Sequence, residues 1–134
     1  MKTYVALLRG INVGGNNKVE MKKLKVGFEK LGHEDVVTYI NSGNVIFSTR
    51  KNNVISLTRD IEAMVKKDFK LEIPVVLRTK ANIEKLVKNI PADWINDQEQ
   101  KTDVMFLWDE YATRSTLKLI ETNPKVDTLL YCDS

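Results

Sequence analysis

A single cysteine and a single histidine in 134 residues rule out a good deal of chemistry. Cys132 has no second thiol to join, so no internal disulfide staples the chain, and the thiol reads as inert. With His33 as the lone imidazole, the Cys/His sets that hold zinc cannot be assembled, and no metal site is expected. Long apolar runs are also lacking. The stretch Tyr4 to Leu8 falls far short of the roughly 20 residues that cross a bilayer. Met1-Lys2-Thr3-Tyr4 enters a strand pattern directly, without the apolar stretch and cleavage site of a secretory signal. A cytoplasmic protein without membrane contact is the expectation.

What is present suits a globular chain. Hydrophobic residues make up 43% and charged residues 29%, enough for a core and a wet surface. The length fits one domain, or a domain and part of another. The net charge of +3 is lower than a dedicated nucleic-acid binder usually carries. Its distribution says more: residues 1–50 hold 8 Lys/Arg against 4 Asp/Glu, whereas residues 101–134 hold 4 against 6. Much of the excess falls on Lys22, Lys23, Lys25 and Lys30, and reads as a solvated helix face.

Tyr4 to Leu8 reads as a buried strand. Residues 10–18, rich in Gly and Asn, form a loop. Met21, Leu24, Phe28 and Leu31 recur at helical spacing over about residues 20–31. Asn17 and Glu20 resemble a capping box, and Gly32 closes the helix. Two strand-like runs, residues 36–40 and 45–49, flank the hairpin signal Asn41-Ser42-Gly43-Asn44. Leu57, Ile61, Met64 and Val65 mark a second helix over about residues 54–69. Residues 73–78 are a fourth strand, with Pro74 favouring an edge position. This is the split βαβ order of a ferredoxin-like unit over residues 1–79: an α+β fold with an antiparallel sheet of order 4-1-3-2 and both helices on one face.

Residues 80–134 read as a helix over about 80–89, capped by Thr79 and stopped by Pro91, followed by a partial second unit. That unit has a strand at residues 103–108, a helix at 113–121 and a strand at 126–131. Its last strand is expected to lack a partner, leaving an open edge for self-association and exposing residues such as Leu129 and Leu130.

Two loops hold the candidate chemistry. In the first, Arg9 to Lys18, glycines free backbone N–H groups beside a helix N-terminus, and Arg9 and Lys18 place a cation at either end. Gly10 and Gly15 have the spacing of P-loop glycines, but Asn16 and Asn17 stand where Lys and Ser/Thr are required, so that motif fails. The alternative is a loop that uses Gly and Asn only for positive backbone angles, and Arg9 has the competing role of a structural ion pair with a helix carboxylate. In the second loop, Asn41 to Asn44, a plain turn is the alternative. Strand order strengthens both, because β-strands one and two end, and three begins, at the same edge of the sheet. Arg9, Gly10, Asn12, Gly14, Gly15, Lys18, Asn41, Ser42 and Asn44 are therefore expected to line one concave surface that binds an anion. No catalytic residues emerge: Ser42 lacks a base, and the acidic residues are scattered. His33 reads as a surface residue, and Trp94 and Trp108 as packing groups.

The segments Tyr4-Val5-Ala6-Leu7-Leu8-Arg9-Gly10-Ile11-Asn12-Val13-Gly14-Gly15 and Tyr39-Ile40-Asn41-Ser42-Gly43-Asn44-Val45 resemble the bacterial family called domain of unknown function 1697. The likeness extends more weakly through Pro74-Val75-Val76-Leu77-Arg78-Thr79 to the C-terminus. It implies an α+β fold of ferredoxin-like units and no established reaction, ligand or cofactor. Family members usually continue through a Gly-Arg-Ser-Lys-Leu-type and an Arg-Asn-Trp-Asn-type segment, neither of which occurs here. A site needing those residues would be incomplete in this chain.

Three functions fit: a binding module for a nucleotide or nucleic acid at the two loops; an enzyme on a phosphorylated or carboxylated small molecule; or a protein-interaction domain. Exposed aromatics beside the basic region would favour nucleic acid, a deep pocket with a perturbed acid an enzyme, and a flat apolar surface a protein partner.

Overall fold

The computed structural model describes residues 1–132. It divides into two units, Met1–Ala81 and Asn82–Ser134.

The first unit contains β1 (Lys2–Leu8), α1 (Met21–Lys30), β2 (Glu34–Tyr39), β3 (Asn44–Thr49), α2 (Val54–Phe69) and β4 (Val75–Thr79). The sheet order is β2-β3-β1-β4, with every neighbouring pair antiparallel. This is the order expected from the sequence, read from the other edge. Strand alternation explains the core. Tyr4, Ala6 and Leu8 of β1, Val45 and Phe47 of β3, and Val75 and Leu77 of β4 are buried against Leu24 and Phe28 of α1 and Leu57, Ile61 and Val65 of α2. Tyr4 stacks on Phe47 at 5.8 Å between centroids, and Phe28 tilts against Phe47 at 5.3 Å. The two helices approach closely at Gly27, where an added Cβ would run into the Met64 thioether.

The N-terminus of α1 corrects the sequence reading, and its C-terminus bears out Gly32 as the closing glycine. The N-cap is Glu20, which makes no side-chain cap hydrogen bond, and Asn17 instead donates its amide to the Gly10 carbonyl at 3.1 Å. The expected capping box does not form because Asn17 is held in the preceding loop. At the C-terminus, Gly32 N–H donates to Glu29 O at 2.9 Å and His33 N–H to Phe28 O at 3.3 Å, with Gly32 at φ 81°. This is a Schellman motif, in which the residue after the glycine turns back to contact the helix's last turn. His33 is that residue. It is 4% exposed, not on the surface, and its ring lies 6.1 Å from Phe28 and 4.5 Å from Phe47 between centroids.

Asn53 caps α2 by accepting from Ser56 N–H at 2.9 Å, and Lys70 in the left-handed region ends it. β4 lies at the sheet edge, as Pro74 suggested. It begins at Val75 rather than Ile73, and the Pro74 carbonyl accepts from Arg9 N–H at 3.1 Å.

Helix α3 (Lys80–Asn89) starts directly after β4 and stops before Pro91. In the unit Asn82–Ser134 the expected strands at 103–108 and 126–131 are not strands, and the expected helix at 113–121 is a 3-10 helix, Arg114–Leu119, preceded by a short 3-10 turn, Asp109–Tyr111. The physical reason is pairing: a strand exists by its ladder, and among the described residues neither segment has one. Val104, Met105, Val126, Leu129 and Leu130 are exposed accordingly. Among the described residues no helix is long and apolar enough to cross a membrane.

Candidate functional site

β1 and β2 end, and β3 begins, at one edge of the sheet, and the two Gly/Asn loops meet there. Leu8 N–H donates to the Gly43 carbonyl at 2.9 Å. The hairpin lies directly on the first loop: a Cβ at Gly43 would stand 2.8 Å from Ile11 Cδ1 and 2.9 Å from Leu8 Cβ. Ile11 is 1% exposed beneath it. Glycine at position 43 is thus demanded twice, by this close approach and by its φ of 82°.

Asn12 is the clasp. Its Nδ2 donates to Val19 O and Asn41 O, both at 2.9 Å, and lies 3.2 Å from Asn41 Oδ1. Its Oδ1 accepts from Val19 N–H at 2.8 Å. The carboxamide is therefore occupied by the protein itself, which makes Asn12 a positioning residue rather than a ligand contact.

The rest of the first loop is a miniature hairpin. Asn12 N–H donates to Asn17 O at 3.1 Å and Asn16 N–H to Val13 O at 3.0 Å, and Val13 and Asn16 form an isolated bridge. Gly14 and Gly15, at φ 58° and 77°, supply the two positive angles of a type I′ turn. Gly10, Asn12 and Asn17 are left-handed too, so the Gly/Asn composition has a conformational cause at every position of the loop but Asn16. Arg9 and Lys18, at the two ends, are exposed. Among the described residues neither takes part in an ion pair, which leaves Arg9 without the structural partner considered for it. In the second loop Asn44 Nδ2 donates to Ser42 Oγ at 2.8 Å, and Asn41 and Ser42 are exposed.

Of the nine residues singled out, Arg9, Lys18, Gly14 and Gly15 are exposed, Asn12 and Gly10 shape the loop, and Asn41, Ser42 and Asn44 form the facing hairpin. The α1 N-terminus contributes less than expected, because Glu20 places a carboxylate at it, 3.7 Å from Lys23 Nζ. Among the described residues no cluster of His, Cys, Asp or Glu suits a metal, and the loops hold no acid–base pair.

Sequence reasoning missed two residues here. Tyr39, the last residue of β2, is 63% exposed; period-two alternation with buried Val36 was the available signal. Ile40 has φ 49° and is 61% exposed. A β-branched residue in the left-handed region is an outlier that clusters at functional sites, and nothing in the sequence announces it.

A family model described as "Protein of unknown function (DUF1697)" matches residues 1–132. The chain belongs to the DUF1697 family. A solved structure, that of the conserved bacterial protein SP0830 from Streptococcus pneumoniae, is similar at 35% identity with a TM-score of 0.62. The match covers 72% of this chain and 53% of that one, so this DUF1697 chain spans about half the length of that relative. None of the curated proteins matches.

Proposed function

We propose that the paired loops bind a phosphate-bearing ligand, a nucleotide or a nucleic acid, and that the protein works in the bacterial cytoplasm on a ferredoxin-like scaffold. The observation that carries this reading is the pair of exposed cations, Arg9 and Lys18, in no ion pair among the described residues, at the two ends of a loop whose Gly14-Gly15 tip is exposed. Backbone N–H groups with two flanking cations suit an anion with several oxygens. The Asn12 clasp and the Gly43 contact hold the loops before any ligand arrives, which lowers the ordering cost of binding.

A thermal-shift screen of nucleotides, pyrophosphate and oligonucleotides on the full chain tests it, since a ligand of the native state raises the melting temperature by mass action. Arg9→Ala and Lys18→Ala should each weaken binding by about 1–3 kcal/mol, the range for charged hydrogen bonds. Stabilisation that survives both substitutions would place the anion elsewhere. The enzyme reading needs acid–base groups that the loops do not supply, so any such activity would draw on residues outside this pair of loops.

A further inference from the structure

The face of the sheet opposite the helices is open beside the loops. Register pairs Val37 with Ile46 and Tyr39 with Asn44 across β2 and β3. Val37 is 54%, Tyr39 63% and Ile46 38% exposed. These side chains alternate with buried Val36, Val45 and Phe47, so they share the face turned away from the helices. An exposed apolar patch of this kind marks an interaction surface. Its only aromatic member, Tyr39, adjoins the candidate hairpin directly.

Charge decides among occupants. The patch ends at the hairpin Asn41–Asn44, which packs on the loop that Arg9 and Lys18 flank; among the described residues neither cation is in an ion pair, and the first fifty residues carry the chain's positive excess. An apolar protein partner would leave those cations uncompensated. A strand of nucleic acid satisfies both features, because its phosphates meet the cations and its bases have faces that stack on a ring. We propose that this surface takes single-stranded nucleic acid, with phosphates at Arg9 and Lys18 and a base stacked on Tyr39 above Val37 and Ile46. The proposal rests on reading the loops as an anion site and extends it from a point contact to a track. Strained Ile40 lies between the two parts, where the chain must turn from the stacking strand into the hairpin.

The test is fluorescence anisotropy of labelled ten-residue oligo(dT) and oligo(rU) on the full chain, with uridine triphosphate as competitor. The oligonucleotides should bind more tightly than the triphosphate. Tyr39→Ala should weaken them about 5- to 150-fold, the range for loss of one base–aromatic stack, while Tyr39→Phe, which keeps the ring, should bind as wild type. Because Tyr39 is exposed, neither substitution opens the core. If Arg9→Ala loses binding but Tyr39→Ala does not, or if the triphosphate binds as well as the oligonucleotides, the loops hold an anion and the track is refuted. If neither probe binds, the anion site fails together with the track. If sedimentation shows a dimer that Tyr39→Ala dissociates, the face is a contact between copies and the proposal is overturned.

Discussion

His33 offers a prediction whose sign is set by the structure. The side chain is 4% exposed, and among the described residues neither ring nitrogen has a hydrogen-bond partner. Burial, then the Lys51 cation, lowers its pKa from the ordinary 6.5, and Asp60 opposes them. Lys51 and Asp60 pair with each other at 3.0 Å. The folded state therefore keeps the imidazole neutral while the unfolded chain still takes a proton near the ordinary value. Above that value His33 imposes no pH dependence. As pH falls below it, the unfolded state binds the proton first and stability declines, by at most about 1.4 kcal/mol per pH unit, until the folded pKa is reached. His33→Leu removes the titration and two unsatisfied polar atoms. Each such group costs about 1–3 kcal/mol, against which the lost ring contacts with Phe28 and Phe47 must be set. The variant should match or exceed wild-type stability near pH 7.5, and its advantage should widen below pH about 6.5. Urea unfolding of both proteins across that range reads the difference, with the carboxylates common to both cancelling. A gap independent of pH, or a leucine variant clearly less stable at pH about 7.5, would show that His33 is partnered and refute the argument.

Two further substitutions probe the loops. Ile40→Asn places a residue that tolerates φ 49° where isoleucine is strained, and should stabilise the fold by about 1 kcal/mol in urea unfolding; destabilisation would mean the exposed side chain packs. Gly43→Ala sets a methyl group against buried Ile11 at φ 82° and should cost about 2–4 kcal/mol from strain and overpacking; a loss under about 1 kcal/mol would show that the loops separate easily.

The sheet was legible because its evidence is local and redundant. Tyr4 to Leu8, the hairpin at Asn41–Asn44 and the stripe Leu57, Ile61, Met64 and Val65 each state their period, and the order of elements leaves few topologies. The meeting of the two loops followed from strand order alone. The remaining features are set by tertiary contacts. Asn12 looks like a ligand residue in sequence, yet its amide is spent on Val19 and Asn41. His33 looked exposed because a polar residue follows a glycine, whereas the Schellman turn carries it into the core. Tyr39 ends a strand whose outward face is fixed by its register with β3. Residues 103–108 and 126–131 have strand composition, but composition cannot supply a ladder partner, and among the described residues they remain unpaired.

The central claim is the location of an anion site. Two-dimensional amide NMR of the full chain, titrated with uridine triphosphate, reads that location residue by residue. Saturable shifts should concentrate at Gly10, Gly14, Gly15, Lys18 and the hairpin amides of Asn41 to Asn44. Shifts confined instead to the lysine-rich face of α1, at Lys22, Lys23 and Lys30, or no saturable shift at the two loops, would contradict it.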